Sequence, residues 1–202
     1  GARYEYPLGG EVAFAKAGAS GTWAAWIDAH TGQVLSFFDN NDYGIVKGGI
    51  YPISQTASAE VIRGLPFANV ASGVYANWTG RYDTPTSGTV TSTLVGKYVK
   101  IADSCGSISL SATAPADLNF SSSTGTDCTT PGVGGSGNTH AARSCYFHVT
   151  NAKYKAMQWL PSNTWLQGTL TSNVNLNQTC NAYWNGSTIN FFRSGGGCGN
   201  TG

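Results

Sequence analysis

Alternation of apolar and polar positions is clearest near the start of the chain. Glu11-Val12-Ala13-Phe14-Ala15, Trp23-Ala24-Ala25-Trp26-Ile27-Asp28 and Gln33-Val34-Leu35-Ser36-Phe37-Phe38 carry the period of two expected of half-buried strands. Ala29-His30-Thr31-Gly32 joins the second to the third, and a glycine able to take positive φ there predicts a β-hairpin, closed by Asp39-Asn40-Asn41-Asp42. Short β-rich runs then continue between Gly, Pro and Ser breaks, at Ile45 to Ile53, Glu60 to Arg63, Thr89 to Leu94 and Tyr98 to Ile101. From Ser121 to Gly137 small polar residues and glycines predict a loop.

The period then changes. Ala142, Cys145, Tyr146, Val149, Ala152, Ala156 and Leu160 recur at spacings of three and four, with Asn138 as the expected N-cap and Pro161 as the stop, which predicts one long amphipathic helix. Leu170 to Leu176 reads as a strand. Asn185-Gly186 between two aromatic, β-branched runs predicts a C-terminal hairpin with a type I′ turn. The expected fold class is α+β, mainly β: an antiparallel, β-rich lobe with one long helix and an edge hairpin. Its expected regions are residues 1–43, 44–137 and 138–202.

Composition narrows the function classes. Of 202 residues only 10% are charged and the formal net charge is +1, so the bulk charge gives no footprint for a polyanion such as nucleic acid. No apolar run approaches the roughly 20 residues of a membrane-spanning helix. The charges are unevenly placed: after Asp127 the chain carries Arg143, Lys153, Lys155 and Arg193 but no carboxylate. Any acid needed as base or metal ligand must come from residues 1–127 or from outside this chain. The sole methionine is Met157, so Gly1 is expected to arise by processing or excision, and the Gly-rich stretch up to Gly202 is expected to lead onward.

The five cysteines lie mostly in loop-like surroundings. Spacing alone leaves the connectivity open. We take Cys105 with Cys128 and Cys180 with Cys198 as the expected bridges, each closing a loop worth about 3 kcal/mol in the chain-entropy account. Cys145 falls inside the helical pattern and is expected to be a buried small hydrophobe. With no C-x-x-C and no finger-like Cys/His spacing, an oxidised, secreted protein fits better than a structural zinc site.

Asn181-Ala182-Tyr183-Trp184-Asn185-Gly186-Ser187, after a long helix and a strand and before a Gly-rich turn, resembles the substrate-edge strand of thermolysin-like zinc endopeptidases. Trp26-Ile27-Asp28-Ala29-His30-Thr31-Gly32-Gln33-Val34 resembles the closing hairpin of the PepSY-type propeptides of this group, and Tyr51-Pro52 with the strands after it resembles the β-rich start of a fungalysin-type unit. The resemblance implies the N-terminal portion of a secreted gluzincin, with Asn181 and Ala182 holding the backbone of an extended peptide, Trp184 supporting the strand and Tyr183 facing the other way. It also implies a departure. The H-E-x-x-H zinc helix is not in this sequence, and His140 and His148 stand eight apart rather than four. No catalytic residue, metal ligand or cofactor is therefore expected in this chain, zinc entering only with a downstream segment, and the chain is expected to be inactive alone. Its expected partners are a peptide or protein substrate and the missing catalytic segment. The alternative is an extracellular assembly protein that pairs with like copies by strand addition.

The remaining candidates have plainer explanations. His30, His140 and His148 are expected in structural roles. Asp39, Asp42 and Asp103 are expected as solvated turn acids rather than a calcium site. Trp23, Trp26, Trp78, Trp159 and Trp165 are expected to fill cores rather than stack on carbohydrate.

Overall fold

The computed structural model describes residues 8–15, 22–39, 43–83, 88–122, 128 and 138–202, and the statements below concern these. The fold is α+β and mainly β. The three N-terminal runs form β1 (Gly9–Ala15), β2 (Thr22–Asp28) and β3 (Val34–Asp39) in one antiparallel sheet of order β1-β2-β3, whose strands pair with no other described strand. Thr31 and Gly32, the latter at φ 71°, make the β2–β3 joint, and the Asp28 carboxylate accepts the backbone N–H groups of His30 and Thr31. Those donors hold the exposed Asp28 carboxyl below the usual carboxylate range, the Thr31 N–H contributing most. Val12, Phe14 and Phe37 stay exposed on this sheet. Asp42 lies outside the described residues.

The second unit is organised around β4 (Tyr43–Ile50). Parallel to it on one side lies β12 (Leu118–Asn119); β5 (Val61–Gly64) and β8 (Arg81–Asp83) pair with it antiparallel. Tyr43 already pairs with Asp83, so the strand begins at the last residue of the expected first region. Two further pairs, β6 (Asn69–Ala71) with β7 (Val74–Tyr75) and β9 (Thr89–Ser92) with β11 (Leu110–Thr113), complete this part. Val46, Leu65, Leu94, Leu118 and Phe120 fill the core, which continues into the helix through Ala142, Cys145 and Tyr146.

That helix, α1 (His140–Trp159), is one continuous element, as its apolar spacing predicts. Two details differ from expectation. Thr139, not Asn138, caps it, its hydroxyl accepting the Ala142 N–H at 3.1 Å, while Asn138 is drawn off to the Phe120 carbonyl and Arg143. The apolar stripe also gives out after the second turn: Ala152 and Leu160 are exposed, whereas Thr150 and Lys153 are buried. Only the N-terminal half enters the core, so apolar residues further along have nothing to cover them.

A second sheet has the order β10-β13-β15-β14, built from β10 (Val99–Asp103), β13 (Leu170–Leu176), β14 (Ala182–Trp184) and β15 (Thr188–Phe192). Here β10, β13 and β15 run parallel and β14 turns back antiparallel at the edge, so residues 44–137 and 138–202 share one sheet. The β14–β15 turn is not type I′. Only Gly186, at φ 97°, has positive φ, and Asn185 instead accepts the Ser187 and Thr188 N–H groups with its side chain. A carboxamide thus does part of what a second left-handed residue would do.

On the surface, Lys47 pairs with Asp117, which also accepts the Ile45 N–H. The lysine contact foremost pulls the Asp117 carboxyl below its usual range, against partial burial. A lowered native value means stability that is present above the unfolded-state value and lost as pH falls through the native one. Asp117→Asn is therefore expected to cost at most about 1 kcal/mol near neutrality. The gap to the parent should close on acidification, as pH falls through the lowered native value of Asp117, in urea titrations; a gap that widened on acidification would contradict this.

Candidate edge-strand site

The segment Asn181 to Trp184 lies at the border of the four-stranded sheet. β14 pairs only with β15, at Ala182↔Phe191, Tyr183↔Asn190 and Trp184↔Ile189. Asn185 donates its N–H to the Thr188 carbonyl, and hydrogen-bonded pairs alternate along an antiparallel ladder, so Tyr183 turns its backbone groups inward and Ala182 and Trp184 turn theirs to the vacant side. Side chains alternate as well. Tyr183 packs edge-on against Phe192 at 5.8 Å, while Trp184 lies on the other face, edge-on to Trp165 at 6.1 Å. Tyr183 is thus opposite to Trp184, as the period of two requires.

Asn181 is less free than its sequence suggests. Its side-chain oxygen accepts the Ala182 N–H at 2.9 Å, and its carbonyl accepts the Thr201 hydroxyl at 3.0 Å. Thr201 also exchanges bonds with Phe192, filling the place next to Asn181 at the end of the β14–β15 ladder. The Gly-rich tail reaches this position because Cys198 is bridged to Cys180 and because Gly195, Gly196 and Gly197 all have positive φ. The border that remains open is the Ala182 carbonyl and the two backbone groups of Trp184, because Asn181 Oδ1 occupies the Ala182 N–H.

The tryptophans are not core residues. Trp26, Trp78, Trp159, Trp165 and Trp184 are all exposed, and only Trp23 is partly covered. The reason is local: the helix and turn that carry Trp159 and Trp165 lie beyond the reach of the core, and cations cover part of their rings. Lys155 sits over Trp159 at 5.4 Å and Lys153 over Trp165 at 5.0 Å.

Asp103 is not a solvated turn acid. Its carboxylate accepts the Cys105 N–H, the Asn175 amide and the Thr139 hydroxyl, the last at 2.7 Å, so it joins the β10 end to the helix cap. The buried bridge Cys105–Cys128 adjoins it.

A buried ionic cluster flanks the N-terminus of α1. Arg143, fully buried, donates to Glu60 at 2.8 Å, to the Gly49 carbonyl and to both oxygens of Asn138. His140 Nδ1 lies 3.0 Å from the same Glu60 oxygen, and His148 Nε2 donates to the Tyr51 carbonyl at 2.8 Å. A Cβ on Gly49 would overlap the Glu60 carboxylate, so glycine there is what admits the pair. Beside the cluster is a cavity of about 380 Å³ between the Tyr51–Thr56 segment, the His140/Ser144/His148 face of α1 and Gly199–Gly202.

Cys145 borders this cavity but is almost wholly buried, and burial pushes its thiol up to about 12. Ellman's reagent at pH 8 is expected to find no reactive thiol in the native protein and one per chain once it is unfolded without reductant. Rapid native labelling would mean that the Cys145 side chain opens to solvent.

The histidines do not fit a zinc site. Among the described residues no three His, Cys, Asp or Glu side chains converge, and His140 Nδ1 and His148 Nε2 already have protein partners. No protein-family model, curated protein or solved structure matches this chain.

Proposed function

We propose that this chain is the peptide-binding, N-terminal portion of a secreted zinc metalloendopeptidase, incomplete without a downstream segment that supplies the H-E-x-x-H helix. The observation that carries the reading is the open border of β14, where the Ala182 carbonyl and both backbone groups of Trp184 face outward beside a well-paired sheet. An extended peptide adds to such an edge as a further strand, taking affinity from main-chain pairing and orientation from the fixed sheet. Zinc would supply an activated water in the complete enzyme. Among the described residues no cluster of His, Cys, Asp or Glu fits the metal; the part of this chain is to bind and align the peptide backbone. Two disulfides support an extracellular setting.

Co-expression with the downstream reading frame, or expression of the precursor, is expected to yield peptidase activity that a chelator abolishes. Its absence in a correctly folded product would overturn the proposal. Self-assembly through the same edge is the competing use, but β14 has only three residues, and a short edge disfavours stable pairing between copies. Sedimentation at micromolar concentration is therefore expected to give a monomer.

A further inference from the structure

Resting on the edge-strand reading, we infer that Trp165, outside the border strand, is a specificity-determining residue that makes the site select peptides with a bulky apolar side chain on the helix side of the sheet. A strand added to β14 pairs with both outward backbone groups of Trp184 and with the Ala182 carbonyl, the Ala182 N–H being held by Asn181 Oδ1. In an antiparallel ladder directly opposed residues place their side chains on the same face, with Cβ atoms about 5 Å apart. The peptide residue opposite Trp184 therefore stands beside its indole.

That indole does not stand alone. Trp165 meets it at 88°, so the two rings make a corner, and both are about half exposed, at 55% for Trp165 and 48% for Trp184. Trp165 is held from behind. It lies on α2 (Thr164–Gln167), a short turn whose Leu166 is buried and whose start is capped by Asn163. Lys153 donates to the Gly168 carbonyl at 2.6 Å and lies over the Trp165 ring, so the buried lysine fixes both the turn and the indole. A corner of two perpendicular rings offers apolar area to one side chain but no flat platform for a sugar ring, and the adjoining unpaired backbone suits a polypeptide. The nearby Lys153 cation disfavours a basic side chain at the same place. The residue before or after in the peptide faces Tyr183, on the opposite side of the sheet.

The test uses the isotope-labelled 202-residue chain and blocked pentapeptides Thr-Ala-X-Ala-Thr, with X as Phe, Leu, Ala or Lys. Binding is read at the Ala182 and Trp184 amides and, separately, at the Trp165 indole N–H. The Phe and Leu peptides are expected to bind about ten-fold more tightly than the Ala peptide, with Lys no better than Ala, and only the apolar peptides should move the Trp165 indole signal. Trp165→Ala is expected to reduce the Phe-to-Ala ratio to below about two-fold. Trp165→Phe should keep most of the discrimination, a rescue that a purely structural role would not produce. Equal affinity for Phe and Ala peptides in the parent, or an unchanged ratio in Trp165→Ala, overturns this inference and leaves the edge-strand reading standing. If no peptide moves the Ala182 and Trp184 amides, both fall.

Discussion

Arg143→Met is expected to lower folding stability by about 3–5 kcal/mol, because it strands a buried carboxylate. In the parent, Glu60 is covered and shares one oxygen between Arg143 and His140, and the Arg143 guanidinium also satisfies the Gly49 carbonyl and Asn138. Removing the cation leaves Glu60 its His140 contact but no fixed positive charge beside it, and takes one donor each from the Gly49 carbonyl and the Asn138 oxygens. For a chain of this size the thermal midpoint should drop by roughly 10 °C. The comparison that separates charge from packing is Arg143→Met combined with Glu60→Leu: with both charges gone the loss is expected to shrink by more than half, since a buried pair exchanged whole for apolar groups is often close to neutral. A double variant as unstable as the single one would place the effect in packing around α1 instead. The experiment also bears on the cavity, because His140 shares the Glu60 oxygen and forms one of its walls.

The second large effect is expected at the C-terminal bridge. Replacing both Cys180 and Cys198 by alanine opens a loop of 18 residues and should cost about 3 kcal/mol by chain entropy. The functional consequence is more specific than the stability loss. Cys198 keeps the Gly-rich tail folded back so that Thr201 can hold the Asn181 carbonyl and the Phe192 backbone. Without the bridge, amide protection at Phe192 is expected to fall more than at β13, and peptide binding at β14 to weaken by about ten-fold as Asn181, the residue before the strand, loses its anchor. Unchanged protection at Phe192 would show that the hydrogen bonds of Thr201 suffice without the disulfide.

Much of the architecture is legible from local pattern. The β2–β3 hairpin, the strand from Leu170 to Leu176, the long helix ending before Pro161 and the hairpin at Asn185-Gly186 all follow from periodicity and turn chemistry. Both disulfide pairs join neighbouring loop cysteines, so they too are suggested by the sequence. The short strands carry no such pattern. β6, β7, β8 and β12 have two or three residues each, too few for a period to register, and they exist because β4 and one another complete their hydrogen bonds. The helix cap moved by one residue because Arg143 competes for Asn138. The adjacent glycines Gly48-Gly49 were the available hint of the buried ion pair, but a glycine that makes room looks the same in sequence as one that turns the chain.

The chain's own residues therefore determined which segments are strands, where the one long helix runs and that a hairpin closes the described fold, since these depend on spacing and on φ preferences within a few neighbours. Only the tertiary structure decided that β14 is a border, that Trp165 meets Trp184 in a corner, and that Glu60 finds Arg143 across 83 positions. Edge status, ring contacts and burial of charge depend on which distant segments come to lie beside one another, and local periodicity carries no record of that pairing.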